Sequence, residues 1–118
     1  MTESAKLRVD DYLDHILQAI LRIHRYTEDL TEVAFLKDEK TQDAVIRNIE
    51  IIGEAAKNVE RSHPDFVRQH DEISWSDIYL MRNRVAHGYF SVDHEIVWAT
   101  IQTDLPELAA QIRTLLSK

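Results

Sequence analysis

Residues Ser74 to Phe90 read S-W-S-D-I-Y-L-M-R-N-R-V-A-H-G-Y-F, and the fold class is decided by how this stretch is read. Ser74 followed three residues later by Asp77 has the form of a capping box, so a helix is predicted to start here. Ile78, Met81 and Val85 recur at i, i+3 and i+7 and form its buried side. Gly88, which accepts positive φ without a Cβ penalty, is the expected C′ residue that ends the helix just after His87. The polar side and the end of this helix crowd Arg82, Asn83, Arg84, His87 and Tyr89 into one short span. An amphipathic helix that carries such a cluster implies an all-α protein with its chemistry at a helix end.

Helical geometry limits which of these groups act together. At about 100° per residue, Arg82 and His87 diverge by roughly 140° on an unbroken helix, whereas Asn83 and Arg84 lie within about 60° of His87. Arg82 and His87 therefore meet on one ligand only if the helix end unwinds or a second copy of the segment faces the first. The ordinary account is a solvated helix end, with cations favourably placed at the negative end of the macrodipole. The functional account rests on chemistry: histidine titrates near neutrality, arginine binds phosphate bidentately, and asparagine orients either.

Outward from this segment the same periodicity repeats. Val9, Leu13, Ile16, Ile20 and Ile23 mark a first helix from Asp10 or Asp11 to near Tyr26. Thr31 is positioned to cap a short turn through Val33, Phe35 and Leu36. Val45, Ile49, Ile52, Ala56 and Val59 mark a second long helix, from Asp38 or Thr41 to about Arg61. Gly53 lies inside it beside Ala55 and Ala56, and because a mid-helix glycine costs about 1 kcal/mol against alanine, close approach of another backbone is expected there. His63-Pro64 ends this helix, with one helical turn predicted over 65–70. Asp93 is expected to cap a last helix with the stripe Val97, Ile101, Leu105, Leu108, Ile112 and Leu115, kinked or split by Pro106 near Asp104.

Composition agrees with this reading. With 118 residues, two glycines and two prolines, the chain suits one domain, 1–118, of long helices and short loops. An up-and-down four-helix bundle with short extra helical turns is the economical architecture. There are no cysteines, which removes disulfides and thiolate chemistry and fits a reducing compartment. No apolar run approaches the roughly 20 residues of a membrane span, and no signal-peptide core is seen, so a cytoplasmic location without membrane association is expected. The net charge of −7 excludes a globally basic nucleic-acid binder, so contact with phosphate needs a local positive patch, best supplied by Arg82 and Arg84.

Other polar groups have plainer readings. Arg47, Asn48, Glu50 and Glu54 lie on the second helix, where an exposed ion-pair ladder competes with a role for Glu50 or Glu54 in holding an arginine of the central segment. His15, His24, His63, His70 and His94 show no metal-ligand spacing and read as surface histidines. Trp75 and Trp98 read as core or interface anchors. Neither a glycine-rich phosphate loop nor a serine triad is apparent, and no cofactor is expected.

Arg82-x4-His87-x-Tyr89, after a helix that starts at a tryptophan, resembles the signature of HepT-like toxins of the HEPN superfamily. The block D-A-V-I-R-N-I-E-I-I-G-E-A-A-K over residues 43–57 is similar to that family's other characteristic segment. The resemblance implies a helical bundle that forms a homodimer, or a higher assembly, with its motifs facing each other. It implies metal-independent endoribonuclease activity on RNA and a minimal nucleotidyltransferase antitoxin that transfers AMP to Tyr89. Arg82 and His87 are then the catalytic residues, with Asn83, Arg84, Arg47 and Glu54 in support. The rival expectation is a non-catalytic bundle that binds a nucleotide or serves as the partner module of a nucleotidyltransferase, which the net charge favours.

Overall fold

A computed structural model describes residues 8–86 and 92–117, all of whose regular structure is helical. α1 (Val9–Thr27) begins one residue ahead of Asp10 because the Asp11 carboxylate accepts the Arg8 N–H at 3.2 Å and caps the first turn from inside the helix. α2 (Glu32–Phe35) is the short turn expected after Thr31, whose side chain accepts the Ala34 N–H at 3.1 Å. Phe35 is thereby driven into the core, where Gln42 donates to its carbonyl at 2.8 Å.

α3 (Glu39–Ser62) is capped by Asp38, which accepts from both the Thr41 N–H at 3.1 Å and the Thr41 hydroxyl at 2.7 Å. These bonds, the hydroxyl one first, hold the Asp38 carboxyl below its ordinary value. Val45, Ile49, Ile52, Ala56 and Val59 are all 0% exposed, so the predicted stripe is the face on which the core is built. Burying a side chain of the Val or Ile type contributes about 1.5–3 kcal/mol, so this stripe is a principal source of stability. The helix stops at His63, and Pro64 opens α4 (Pro64–Gln69), where its missing N–H costs nothing.

α5 (Trp75–Ala86) starts directly after Ser74, whose carbonyl accepts the Ile78 N–H at 3.1 Å. Ile78 and Met81 are buried as expected. The Gly88 termination lies outside the described residues, as does the side chain of Val85.

The last stripe is buried throughout, but it is carried by two α-helices. α6 (His94–Ala99) is capped by Asp93, and α7 (Leu105–Leu116) follows after a π-helical turn over Thr100–Asp104. Pro106 explains the break: it has no N–H to donate, and its ring would collide with the carbonyl four residues back. The Leu105 N–H reaches instead to the Thr100 carbonyl, five residues away.

α1 packs on α3 and α7, and α3 packs on α5. The pairs Gly53/Arg82, Lys57/Tyr79 and Glu60/Ser76 step up α3 while stepping down α5, so these two helices run antiparallel. Arg22 with Asn48 and Tyr12 with His63 show the same for α1 and α3. The result is the expected helical bundle. Among the described residues, no helix is long and apolar enough to cross a membrane.

Two readings need correction. His63, His70 and His94 are half-buried, because each is drawn against an aromatic ring of the core edge: Tyr12 at 6.2 Å, Phe66 at 4.4 Å and Phe35 at 6.3 Å between centroids. The anticipated ladder on α3 shrinks to one contact, Arg47 to Glu50 at 3.9 Å, while Glu54 makes no ion pair among the described residues. The tryptophans are anchors as read: Trp75 is buried and donates to the His70 carbonyl at 3.3 Å, and Trp98 packs on Phe35 at 5.3 Å.

Candidate active site

Arg82 leaves α5 directly over Gly53 of α3. A Cβ built on Gly53 would lie 2.5 Å from Arg82 Cβ, 2.8 Å from Cγ and 3.2 Å from Cδ, closer than carbon atoms tolerate. The missing side chain of Gly53 is therefore the channel through which the arginine stem passes. A close approach does occur at this glycine, but it is made by a side-chain stem where a backbone was expected, and the stem is that of the candidate catalytic arginine.

The guanidinium at the end of that stem is constrained but poorly partnered. Its Nε is buried and makes no hydrogen bond among the described residues. Nη1 donates to Asn83 Oδ1 at a long 3.4 Å, and Cζ stands 5.8 Å from the Tyr79 ring centroid. No carboxylate pairs with Arg82 among the described residues. With no carboxylate partner among the described residues, the planar fork of a guanidinium, a shape that suits phosphate, is not already engaged by an anion there.

The other candidates divide into three groups. Asn83 stands beside Arg82 and accepts from its Nη1 at 3.4 Å. Arg47 and Glu54 are exposed on α3; Arg47 is occupied with Glu50, and Glu54 does not pair with Arg82. His87, Tyr89 and the side chain of Arg84 lie outside the described residues. Asn48, next to Arg47 in the sequence, is buried and structural: its Oδ1 accepts Arg22 Nε at 2.8 Å and its Nδ2 donates to the Ala44 carbonyl at 2.9 Å. Tyr79 and Lys57 were missed. Tyr79 stands three residues before Arg82 and Lys57 four after Gly53, and helical spacing puts each on the face it shares.

A well-formed cavity lies elsewhere. It measures about 590 Å³ between α5 and α7, with Ile73, Ile78, Met81 and Leu108 beneath Glu72, Asp77, Asp104 and Glu107. Four carboxylates repel a polyanion, so this cavity is not where nucleic acid would bind. Among the described residues, no three His, Asp or Glu side chains converge as a metal-ligand set.

The structure is a helical bundle whose α5 carries Arg82 without a carboxylate pair among the described residues, and the sequence runs on from it to His87 and Tyr89. The family with these features is matched directly: residues 16–115 fit the model of the ribonuclease HepT-like family, and the chain belongs to it. A protein of Thermococcus cleftensis named "Probable ribonuclease HepT" is 44% identical over 105 residues, which cover 89% of this chain and 93% of that one. A "Putative RNase" of Caldanaerobacter subterraneus subsp. tengcongensis is 36% identical over 107 residues, covering 91% and 93%. Another "Putative RNase", from Methanocaldococcus jannaschii, is 35% identical over 111 residues, covering 94% and 89%. No solved structure matches the chain at a significant level.

Proposed function

We propose that this protein is an endoribonuclease that cleaves RNA without a metal ion, acts as the toxin of a toxin–antitoxin pair, and works at a site shared by two copies of the chain. The observation that carries this reading is Arg82: threaded over Gly53, steadied by Asn83, and left without a carboxylate among the described residues in a chain whose acidic residues outnumber its basic ones by 21 to 14. The family match and the named relatives supply the substrate class.

Cleavage of RNA without metal needs a base for the 2′-hydroxyl proton, an acid for the departing 5′-oxygen, and positive charge on the phosphorane. In the proposed mechanism, His87 of one copy takes the 2′ proton as the O2′–P bond forms. Arg82 binds the phosphoryl oxygens. His87 of the second copy protonates the 5′-oxygen as the P–O5′ bond breaks, leaving a 2′,3′-cyclic phosphate. A two-fold axis brings an imidazole to each side of the phosphorus, which one subunit cannot do alone. Arg84 adds charge to the same crevice, and Arg47 and Glu54 are left with supporting roles on α3.

Silencing is assigned to Tyr89. AMP transferred there by a minimal nucleotidyltransferase antitoxin places a phosphate two residues from His87, where it engages Arg82 and repels RNA. The second reading, a non-catalytic partner module of a nucleotidyltransferase, is favoured by the net charge of −7. Incubating the protein with labelled RNA in EDTA, beside Arg82→Ala and His87→Ala, separates the two. Cleavage by the parent alone supports the nuclease; no cleavage by any form, with partner binding retained, supports the module.

A further inference from the structure

On the face where α3 meets α5, Lys57 and Arg82 flank one ring. Lys57 Nζ lies 3.4 Å from Tyr79 Oη and 4.8 Å from the ring centroid, and Arg82 Cζ lies 5.8 Å from the same centroid. Lys57 has carboxylates one helical turn away on either side, Glu54 and Glu60, yet it pairs with neither among the described residues. Glu60 instead accepts from the Ser76 hydroxyl at 3.4 Å. In so acidic a chain, two cations set around one ring and left without carboxylates among the described residues repel each other, and a bound anion would relieve that repulsion.

We propose that Lys57 is an RNA-binding residue that takes a phosphate adjacent to the one held by Arg82, with Tyr79 as the positioning residue that aims both cations. The proposal rests on the ribonuclease reading of Arg82 and extends its site one turn along α3. The chemistry is suited to the task. Tyr79 Oη accepts one ammonium proton of Lys57, leaving two to donate to phosphoryl oxygens. The ring's negative face steadies the guanidinium by a cation–π contact, which uses none of its hydrogen-bond donors. The backbone of a single strand then runs from Arg82 at Gly53 towards Lys57, away from the acidic cavity between α5 and α7.

The test uses the full chain in the His87→Ala background, so that RNA is bound without being cut. Binding of a fluorescein-labelled 12-nucleotide single-stranded RNA is followed by anisotropy across a KCl series. Lys57→Gln should weaken binding roughly 3- to 10-fold and flatten the slope of log K against log [salt] by about 0.7, the contribution of one phosphate contact on a single strand. Lys57→Arg should keep the slope, and Tyr79→Phe should weaken binding about 2- to 3-fold without changing it. With His87 intact, Lys57→Gln should raise KM and leave kcat unaltered. The proposal is overturned if Lys57→Gln binds with parental affinity and slope, if Lys57→Arg is as impaired as Lys57→Gln, or if the parent binds no RNA. Cleavage by the parent together with an unaffected Lys57→Gln defeats this subsite and leaves the ribonuclease standing. Absence of cleavage with a flattened slope in Lys57→Gln defeats the ribonuclease and leaves the RNA subsite.

Discussion

Replacing Gly53 with alanine tests the joint on which stability and activity both depend. The added methyl would sit 2.5 Å from Arg82 Cβ and 2.8 Å from Cγ. Carbon atoms rest about 3.5–4.0 Å apart, so a retreat of about 1 Å is required. Arg82 Cβ is bonded to the backbone and cannot rotate aside, so α5 itself must move off α3. Overpacking of this kind costs about 1–3 kcal/mol, offset by about 1 kcal/mol from the better helix propensity of alanine. A net loss of up to about 2 kcal/mol is expected, which for a chain of this size lowers Tm by up to roughly 10 °C. Activity should suffer more than stability, because an error of about 1 Å in placing a phosphate-binding group costs on the order of 100-fold in rate. Calorimetry and cleavage of labelled RNA, both at fixed protein concentration, give the two numbers, with exposed Glu54→Ala as a control expected to unfold like the parent. If Gly53→Ala melts at or above the parental Tm and cleaves at the parental rate, the reasoning about the helix crossing is wrong.

Three further outcomes are expected. Asn48→Ala strips Arg22 of its acceptor and should destabilise the bundle by about 1–3 kcal/mol in urea unfolding, with no change in the RNA-binding salt slope; a smaller loss would show that water replaces the amide. Asp38 has a folded-state pKa below its ordinary 3.8, so its contribution is fully present above that value and is lost as pH falls through the lower, folded one. The urea midpoint of the parent should therefore drop more steeply below about pH 4 than that of Asp38→Asn, and identical pH profiles would contradict the assigned cap. Tyr89→Phe should still cleave RNA while escaping nucleotidyltransferase silencing; a correctly folded Tyr89→Phe protein that is inert would move the tyrosine into catalysis.

The helices were legible because each is amphipathic, and burial follows the 3.6-residue period wherever a stripe can reach a common core. The five positions from Val45 to Val59 are all fully buried for that reason, and the caps at Thr31, Asp38 and Asp93 follow from local hydrogen bonding that needs no tertiary partner. Pro106 announced a break, since its lost N–H is a property of the residue itself; that the break is a π turn depends on how the chain keeps Ile101 and Leu105 on the same core. The arginine and the family signature were equally visible as residue types in order. Which polar groups share a site was not. Asn48, adjacent to exposed Arg47, proved to be a buried strut for Arg22, and Lys57 and Tyr79 were overlooked, because contacts between α3 and α5 are set by the register of two helices far apart in the chain. The sequence alone determined the helical class, the caps and the identity of the chemical groups, all of which follow from local periodicity and side-chain type. Only the tertiary structure decided that Arg82 is threaded across Gly53 and stands with Lys57 around Tyr79, because that depends on where one antiparallel helix crosses the other.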